Sequence, residues 1–435
     1  MSESFDVVVV GAGPVGCVTA MSLAYKGAKV LLLEADPNGS RRLAGEWLHP
    51  PGLKVLQHLG VEKSISTLRA SYANGLGFVV FPDDGTEPIQ LNYPDNSLGF
   101  SCEHNTLVKL LREAVLAYPR IQFIPFARVT QIEHNKVIFE NRVLEKTQSV
   151  ISENIVGADG RSSTMRKLLG IQPKRHLISY MAGIFLENVT LPWEGFGHVF
   201  LGGLGPVLAY RIGCDQVRIC LDVPVDCFKT SQNKAAFLWD AYSPILPSTL
   251  LPAFRYALEN RPVAWCANHF SPRVHYGSKT LTLVGDATGC YHPITATGMT
   301  LGFQDAERLA TSKTFAEFQR DRLLHTYVPE LLTFSLYQVF TRLDYSAVAI
   351  RHAVYQIWRQ YPSERYRTMR LLSGEETNVL YFISSFQQGL RIAVTQLIME
   401  QISMGRGREV VSTLAAFREW IELPFKMVLS RISKN

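Results

Sequence analysis

A glycine-rich segment near the amino terminus has the residue types and the spacing of a dinucleotide-binding turn. Gly11-Ala12-Gly13-Pro14-Val15-Gly16 lies between an apolar run and a stretch of small residues. The first glycine permits a tight turn, the second lets a pyrophosphate approach the backbone, and the third lets helix and strand pack closely. Free N–H groups at the start of the next helix would face the phosphate charges. The spacing predicts a nucleotide site without separating FAD from NAD.

A carboxylate stands where the ribose of such a nucleotide would bind. Glu34 follows Gly16 by 18 residues and ends a second apolar run, with Ala35 directly after it. A carboxylate at this place accepts hydrogen bonds from ribose hydroxyls, which makes the glycine motif a much more specific signal. The cofactor-binding residues predicted from this part of the chain are Gly11, Gly13, Pro14, Val15, Gly16, Glu34 and Ala35.

Two later motifs add polar groups that suit a flavin. Residues 157–160 read Gly-Ala-Asp-Gly after an apolar run, although Asp-Gly is also a common turn. Residues 285–287 read Gly-Asp-Ala after another apolar run and lead to a predicted helix that opens at Gly298 and Met299. Asp286 can accept from ribityl or ribose hydroxyls, and the N–H groups at the helix start can face the pyrimidine edge of a flavin. The residues assigned to the cofactor from these motifs are Asp159, Asp286, Pro293, Gly298 and Met299.

Together, the three motifs resemble those of the FAD-dependent monooxygenases of the para-hydroxybenzoate hydroxylase superfamily, and squalene epoxidase (squalene monooxygenase) is the branch most similar. Arg42-Leu43-Ala44-Gly45-Glu46 resembles that branch's Arg-x-x-Gly-Glu loop. His292-Pro293-x-Thr295-x-x-Gly298-Met299-Thr300 is similar to its His-Pro-Leu-Thr-Gly-Gly-Gly-Met-Thr segment. The resemblance implies FAD as the held cofactor, and further FAD contacts from Arg42, Trp47, His104 and Arg128.

The same resemblance implies a function. It implies epoxidation or hydroxylation of an apolar terpenoid, polyene or polyketide through a flavin C4a-hydroperoxide, with O₂ and NAD(P)H. No second strand-bound glycine motif is present, so NADPH would visit transiently or a separate reductase would supply electrons. Two alternatives remain: a flavin-dependent reductase or desaturase that acts on a prenyl or polyene lipid without oxygen insertion, and a non-catalytic flavin- or lipid-binding protein.

The sequence departs from the epoxidase pattern close to the flavin and the substrate. Ala296 and Thr297 stand at two of the family's three consecutive glycines. Leu76 stands where the epoxidases carry a substrate-facing tyrosine, and Thr106 where they carry an FAD-binding arginine. These departures leave the substrate open.

No residue is singled out as catalytic. Motifs of a protein nucleophile such as GxSxG, HExxH or CxxC are absent from the sequence. Glu46, His49 and His292 could act as a base near the flavin, and each could equally be a structural residue whose polar atoms are already satisfied.

These motifs need an α/β fold to hold them. We expect a Rossmann-like FAD-binding domain of the glutathione reductase type, an inserted and mainly antiparallel β-sheet substrate domain, and a C-terminal helical region. The expected domains are residues 1–72, 101–170 and 275–320 for FAD, residues 73–100 and 171–274 for substrate, and residues 321–435 for the helical region. From about residue 315 onward, apolar and aromatic residues recur at three- and four-residue spacing, which predicts helices over 331–340, 347–358, 379–402 and 411–429.

Composition sets further limits. The 435 residues are 47% hydrophobic with a net charge of +6, and no basic run with interleaved aromatics indicates a nucleic-acid partner. The odd number of cysteines, seven without a CxxC, argues against a disulfide framework or a thiolate metal site, so no metal is expected. Without a basic leader or an 18-residue apolar stretch, we expect a cytoplasmic protein.

The C-terminal region leaves two interpretations open. From Arg351 onward it carries twelve Lys and Arg against seven Asp and Glu and is rich in Phe, Tyr, Leu and Ile. It could be an apolar lid that makes peripheral membrane contact and admits a lipophilic substrate. It could equally be a helical subdomain packed on the core, or a dimer interface.

Overall fold

The computed structural model describes residues 4–37, 43, 45–61, 74–172, 175–405 and 414–422. The strands in chain order are β1 Ser4–Val10, β2 Val30–Glu34, β3 Trp47–Leu48, β4 Asn74–Gly75, β5 Gly77–Phe81, β6 Ile89–Asn92, β7 Gly99–Ser101, β8 Ile121–Pro125, β9 Ala127–Glu133, β10 Lys136–Asn141, β11 Lys146–Gly157, β12 His176–Glu187, β13 Phe196–Phe200, β14 Val207–Arg211, β15 Gln216–Pro224, β16 Ala264–Phe270 and β17 Leu281–Leu283.

The α-helices in chain order are α1 Pro14–Tyr25, α2 Pro50–His58, α3 His104–Leu116, α4 Thr164–Leu168, α5 Val225–Thr230, α6 Lys234–Tyr242, α7 Leu251–Asn260, α8 Gly298–Thr311, α9 Phe315–His325, α10 Tyr327–Thr341, α11 Tyr345–Gln360, α12 Pro362–Leu372, α13 Val379–Ser403 and α14 over 414–422. Short 3₁₀ turns lie at Pro94–Asn96, Ser243–Ile245, Gly285–Ala287 and Pro293–Thr295.

The first sheet carries the nucleotide motifs. Its order is β8-β2-β1-β11-β10-β9, and β17 also pairs with β11. The pairs β8–β2, β2–β1, β1–β11 and β11–β17 are parallel, whereas β9, β10 and β11 form an antiparallel meander. The parallel strands are apolar on both faces because helices α1 and α8 cover one face and the side chains of the meander cover the other. This is the predicted nucleotide-binding half of the fold.

The second sheet forms the predicted inserted domain. Its order is β16-β12-β15-β14-β13-β5-β6, and its neighbouring strands are antiparallel except for the parallel pair β13–β5. Helices α6 and α7 pack with one face of this sheet in an apolar cluster that includes Leu238, Tyr242 and Phe254. Helices α5, α6 and α7 were not predicted from the sequence; of these, α6 has only a weak helical period, whereas α7 is clearly amphipathic. A small third sheet, β3-β7-β4, lies beside the second.

The C-terminal helices pack on the other face of the second sheet. Phe340 of α10 and Trp358 of α11 belong to one apolar cluster with Phe78 and Met181 of the sheet, and Trp420 of α14 joins it. The predicted helical region is therefore confirmed within the described residues, and packing on the core is one of its roles. No helix of the described ranges is long and apolar enough to span a bilayer.

Candidate functional site

The three sequence motifs meet at the carboxyl ends of neighbouring parallel strands. Val10 at the end of β1 pairs with Gly157 at the end of β11, and Gly157 pairs with Leu283 at the end of β17. Gly11 of the glycine corner follows its strand by one residue, and Asp159 and Gly285 each follow theirs by two. In open α/β sheets this edge is where ligands bind, so strand order alone assembles a site from segments about 270 residues apart.

The glycine corner is tight on the protein side and open on the other. Gly11 has φ of +102°, and a Cβ there would lie 2.7 Å from the carbonyl oxygen of Ala158. A Cβ on Gly16 would lie 1.7 Å from the carbonyl oxygen of Gly11, so only glycine lets α1 approach β1 this closely. A Cβ on Gly13 would meet no protein atom within 4 Å. Among the described residues, none therefore lies against Gly13 at the N-terminus of α1, where a diphosphate is expected.

Glu34 lies beside the glycine corner. Its carboxylate accepts hydrogen bonds from the backbone N–H of Ala12 at 2.6 Å and of Asp36 at 2.8 Å. Arg112 of α3 lies 3.4 Å from Glu34 and donates through Nε to the carbonyl oxygen of Ala12 at 2.9 Å. Arg112 thus fixes both the corner and its carboxylate. Arg112 was not among the predicted residues, and its only signal in the sequence is an arginine at the edge of the apolar face of α3.

The Gly-Asp turn packs directly on the glycine corner. A Cβ on Gly285 would lie 3.0 Å from Cγ1 of Val15, and one on Gly302 of α8 would lie 2.4 Å from Cγ2 of the same side chain. Asp286 follows, and its Oδ2 accepts from Nε of Arg161 at 3.1 Å. The predicted Asp286 and Val15 are therefore brought together.

The Asp-Gly motif caps a short helix. Oδ2 of Asp159 accepts from the backbone N–H of Thr164 at 2.6 Å and of Met165 at 3.0 Å. Its other oxygen, Oδ1, is buried and has no hydrogen-bond partner among the described residues. A buried carboxylate oxygen without a donor is costly, and a ligand hydroxyl could satisfy it. The cofactor role predicted for Asp159 is compatible with this geometry and remains a prediction.

A buried cluster of three charged side chains, Asp305, Arg273 and Arg322, holds the Gly-Asp turn in place. Asp305 of α8 accepts from the backbone N–H of Gly285 at 2.8 Å and from Nε of Arg322 at 2.7 Å. Its Oδ2 also pairs with Arg273, which donates to the Thr288 hydroxyl at 2.8 Å. All three charged side chains are buried. Sequence reasoning missed this cluster because its members are scattered over about 50 residues.

The turn that leads into α8 has a strained residue. Pro293 opens a 3₁₀ turn, and Ala296 ends it at φ of +53°, a left-handed conformation that suits glycine. The predicted Gly298 begins α8, where a Cβ would have only Oδ1 of Asp286 nearby, at 3.9 Å. Met299 packs against Gly45, whose carbonyl oxygen accepts from Nδ1 of His104 at 2.9 Å. Met299, Gly298 and His104 thus lie along one side of the site.

A buried hydrogen-bond chain connects the predicted Trp47 to this turn. The indole N–H of Trp47 donates to the Tyr93 hydroxyl at 2.9 Å, and Tyr93 donates to Nδ1 of His49 at 2.6 Å. His49 in turn donates through Nε2 to the carbonyl oxygen of Thr295 at 2.8 Å. Burial lowers the pKa of His49 to about 4, so this histidine is neutral near pH 7. The indole N–H of Trp47 is already used in this chain. A direct contact between Trp47 and the cofactor remains a prediction.

The other two candidate bases are also occupied. Glu46 is buried and receives two hydrogen bonds from Arg218, at 2.9 and 2.7 Å, and one from the Tyr210 hydroxyl at 3.0 Å. His292 accepts at Nδ1 from the backbone N–H of Ile294 at 3.2 Å and donates through Nε2 to Asp222 at 2.9 Å. Both side chains are engaged in buried hydrogen bonds, which favours a structural role over that of a base.

Four predicted contacts remain. Ala35 and Pro14 lie at the glycine corner, beside Glu34 and at the first turn of α1. Arg128 is exposed on β9, three residues beyond Pro125, which pairs with Glu34. Its position near an adenine stays a prediction. Arg42 falls outside the described residues.

The arrangement fits an extended dinucleotide. The diphosphate would lie on Gly13 and the N-terminus of α1, a ribose beside Glu34, and the flavin end along Asp286 and Gly298. The space beside Gly13 and the unpartnered oxygen of Asp159 are the two observations that favour a ligand here over a filled core. Among the described residues no group of three or more His, Cys, Asp or Glu could hold a metal ion.

Known proteins share both the sequence pattern and the fold. The family profile described as squalene epoxidase matches residues 153–408, and the profile described as FAD dependent oxidoreductase matches residues 6–121. A squalene epoxidase of Candida albicans is 27% identical over 78% of this chain and 81% of its own length. One of Aspergillus fumigatus is 30% identical over 70% and 65%, and the squalene monooxygenase of Mus musculus is 26% identical over 80% and 64%.

Solved structures agree at the level of the fold. The p-nitrophenol 4-monooxygenase PnpA of Pseudomonas putida superposes with a TM-score of 0.71 at 16% identity, over 86% of this chain and all of the other. The flavin-dependent brominase Bmp2 gives a TM-score of 0.70 at 17% identity, over 92% of this chain and all of the other. The predicted fold class is confirmed.

Proposed function

The chain belongs to the squalene epoxidase family of FAD-dependent monooxygenases, and from this premise we propose that it inserts one oxygen atom from O₂ into an apolar terpenoid or polyene, by epoxidation or hydroxylation. The balanced reaction consumes one NADPH, one proton and one O₂, and it releases NADP⁺, water and the oxygenated product. NADPH acts directly or through a separate reductase. When bound and reduced, FAD supplies the electrons that activate O₂.

The proposed substrate class rests on the apolar side chains that surround the turn before α8. Ile294 and Ala296 of this turn pack against a large cluster of apolar and aromatic side chains. That cluster includes Leu43, Trp47, Phe78, Tyr93, Met181, Val339 and Phe340. Such a surround excludes water from the reacting centre and favours a substrate without charge. The side chains come from the second sheet and from α10, so the C-terminal helices help to form this dry wall.

The polar groups near the turn favour epoxidation within this class. A phenol hydroxylation benefits from a base near the substrate hydroxyl. His49 has both ring nitrogens in hydrogen bonds, and Glu46 is paired with Arg218. An alkene needs no proton removed before it receives oxygen, so the engagement of these described side chains suits it better.

The remaining polar groups would bind FAD. Gly13 and the N-terminus of α1 would bind the diphosphate, Glu34 a ribose, and Asp286 the ribityl hydroxyls. For Asp286 to do so, its ion pair with Arg161 must rearrange or share the carboxylate. The N–H groups at the start of α8 would face the pyrimidine edge and stabilise its negative charge on reduction.

Peripheral membrane contact is part of this proposal. The last turns of α13 expose Met399 and Ile402, which are 62% and 56% accessible, and Met404 follows them at 57%. Exposed apolar side chains at one helix end, in a region with excess positive charge, suit the interface of an anionic bilayer. Co-flotation with anionic liposomes, compared with a Met399→Gln, Ile402→Gln double variant, tests this point.

The experiment for the enzymatic proposal is coupled turnover. Purified holoenzyme is given NADPH, a flavin reductase and a panel of apolar polyenes, and O₂ consumption and product mass are followed. The proposal expects substrate-triggered O₂ uptake and a product heavier by one oxygen atom. Peroxide as the sole product across the panel contradicts it, and turnover under anaerobic conditions would favour a reductase or desaturase instead.

A further inference from the structure

A chain of three buried threonine hydroxyls links the turn before α8 to the C-terminal helix α10. Oγ1 of Thr297 lies 2.9 Å from Oγ1 of Thr295, which lies 2.9 Å from Oγ1 of Thr333. Thr333, in α10, donates to the carbonyl oxygen of Pro329 at 2.8 Å. All three threonine side chains are buried.

The direction of this chain is fixed by counting hydrogens. Thr333 uses its only hydroxyl hydrogen on Pro329, so it must accept from Thr295. Thr295 then has no hydrogen left for Thr297 and must accept from it. Every hydroxyl hydrogen is used, and Thr297, the residue just before α8, keeps only acceptor capacity at the place predicted for the flavin.

The chain occurs where this protein departs from its family pattern. Thr297 stands at a position where the epoxidase motif has glycine, and glycine has no hydroxyl to offer. Its neighbour Ala296 also replaces a glycine and is held at φ of +53°. A left-handed alanine persists only where the surroundings enforce it, and the hydroxyl chain supplies such a restraint.

A second contact joins the same helix to the start of the turn. Tyr337 lies one helical turn beyond Thr333 on α10, and its ring lies 4.3 Å from that of His292, centroid to centroid. One face of α10 therefore touches both His292 and Thr295. Helix α10 also contributes side chains to the apolar cluster proposed to surround the substrate. A shift of α10 would therefore move the residues of the turn that it contacts.

We propose that Thr297, Thr295 and Thr333 are positioning residues that set the flavin-facing turn and couple it to the C-terminal helices. This inference rests on the proposed function, because it assumes that the turn faces bound FAD. When substrate or a membrane displaces α10, the displacement passes through Thr333 and Thr295 and changes the position of the Thr297 hydroxyl oxygen, which is the acceptor presented to the flavin.

The test compares Thr333→Val with Thr341→Val. Valine keeps the shape and removes the hydroxyl; Thr341 is the matched control on the same helix, since its hydroxyl bonds only to the carbonyl oxygen of Tyr337, at 2.7 Å. Thr333→Val is expected to weaken FAD binding by about fivefold or more and to shift the flavin midpoint potential. Thr341→Val should stay within about twofold of wild type. Thr333→Ser should restore both properties.

The outcomes separate this inference from the proposed function. A wild-type apoprotein that does not bind FAD overturns both. Wild-type binding with an unchanged affinity and potential in Thr333→Val overturns only the coupling, even where thermal stability falls. Additive unfolding free energies in a Thr297→Val and Thr333→Val double-mutant cycle would also contradict it, because members of one hydrogen-bond chain must couple.

Discussion

Val15 of the glycine corner and Gly285 of the Gly-Asp turn are in direct contact, since a Cβ on Gly285 would lie 3.0 Å from Cγ1 of Val15. This contact places the two halves of the nucleotide site against each other. It also means that a side chain at position 285 would require Val15 to shift. Stability of the fold and shape of the site therefore depend on the same two residues.

Gly285→Ala should destabilise the protein more than its backbone angle alone would. Gly285 has φ of +61°, so alanine there costs about 1–2 kcal/mol, and the overlap with Val15 adds about 1–3 kcal/mol. Gly170 is the matched control, because it has φ of +70° and no atom of the described residues lies within 4 Å of its Cβ position. Chemical denaturation of both variants measures the difference. If both variants lose the same unfolding free energy, the contact with Val15 adds nothing to the cost of the substitution.

Asp305→Asn should cost about 3–5 kcal/mol of unfolding free energy, because it leaves Arg273 and Arg322 buried without their shared counter-charge. It should also loosen the Gly-Asp turn, since Asp305 binds the backbone N–H of Gly285. Glu307→Gln, on the exposed side of the same helix, should change stability by less than about 0.5 kcal/mol. Urea denaturation of the two variants provides the comparison, and a loss below about 1 kcal/mol for Asp305→Asn would contradict the assigned role.

Stability should fall on mild acidification because of two buried histidines. Burial lowers the pKa of His49 and of His198 from 6.5 to about 4 in each case. Between those values the unfolded chain binds protons that the folded chain does not, so unfolding becomes easier as the pH falls from 6.5 towards 4. Each histidine contributes up to about 3 kcal/mol to this loss.

The pH effect is checked by substitution of each histidine. Unfolding free energies of wild type, His49→Gln and His198→Asn are measured at several pH values across that window. Each variant should show a shallower decline than wild type, whatever its absolute stability. Parallel curves for all three proteins would show that neither histidine is buried in its neutral form.

The sequence predicted those parts of the site that depend on local backbone geometry. The glycine corner, Glu34 and Asp286 are each set by a strand, a turn and a helix that follow one another in the chain, so spacing was sufficient to place them; their contacts with FAD stay a prediction. The family resemblance, which rests on short segments of the same kind, was also confirmed by the matching family profiles.

Long-range contacts could not be predicted in this way. Arg112, Asp305 and Thr333 reach the site from helices far along the chain, and their partners are backbone atoms or side chains that spacing cannot pair. The candidate bases show the same limit: Glu46 and His292 prove to be occupied by Arg218 and Asp222, which lie on the second sheet. Helix α6 was missed because its period is weak and the sheet beneath it stabilises it, whereas α7 carries a clear helical period that was overlooked.

The central claim is that the open space at Gly13 holds the FAD diphosphate. Gly13 has an extended backbone that any residue adopts, and no atom of the described residues lies within 4 Å of its Cβ position, so Gly13→Val should fold with a stability change of about 1 kcal/mol or less. Titration of the apoprotein with FAD, followed by flavin fluorescence, should show binding weaker by on the order of a hundredfold, with Gly13→Ala in between. Wild-type FAD affinity in a well-folded Gly13→Val protein would contradict the account.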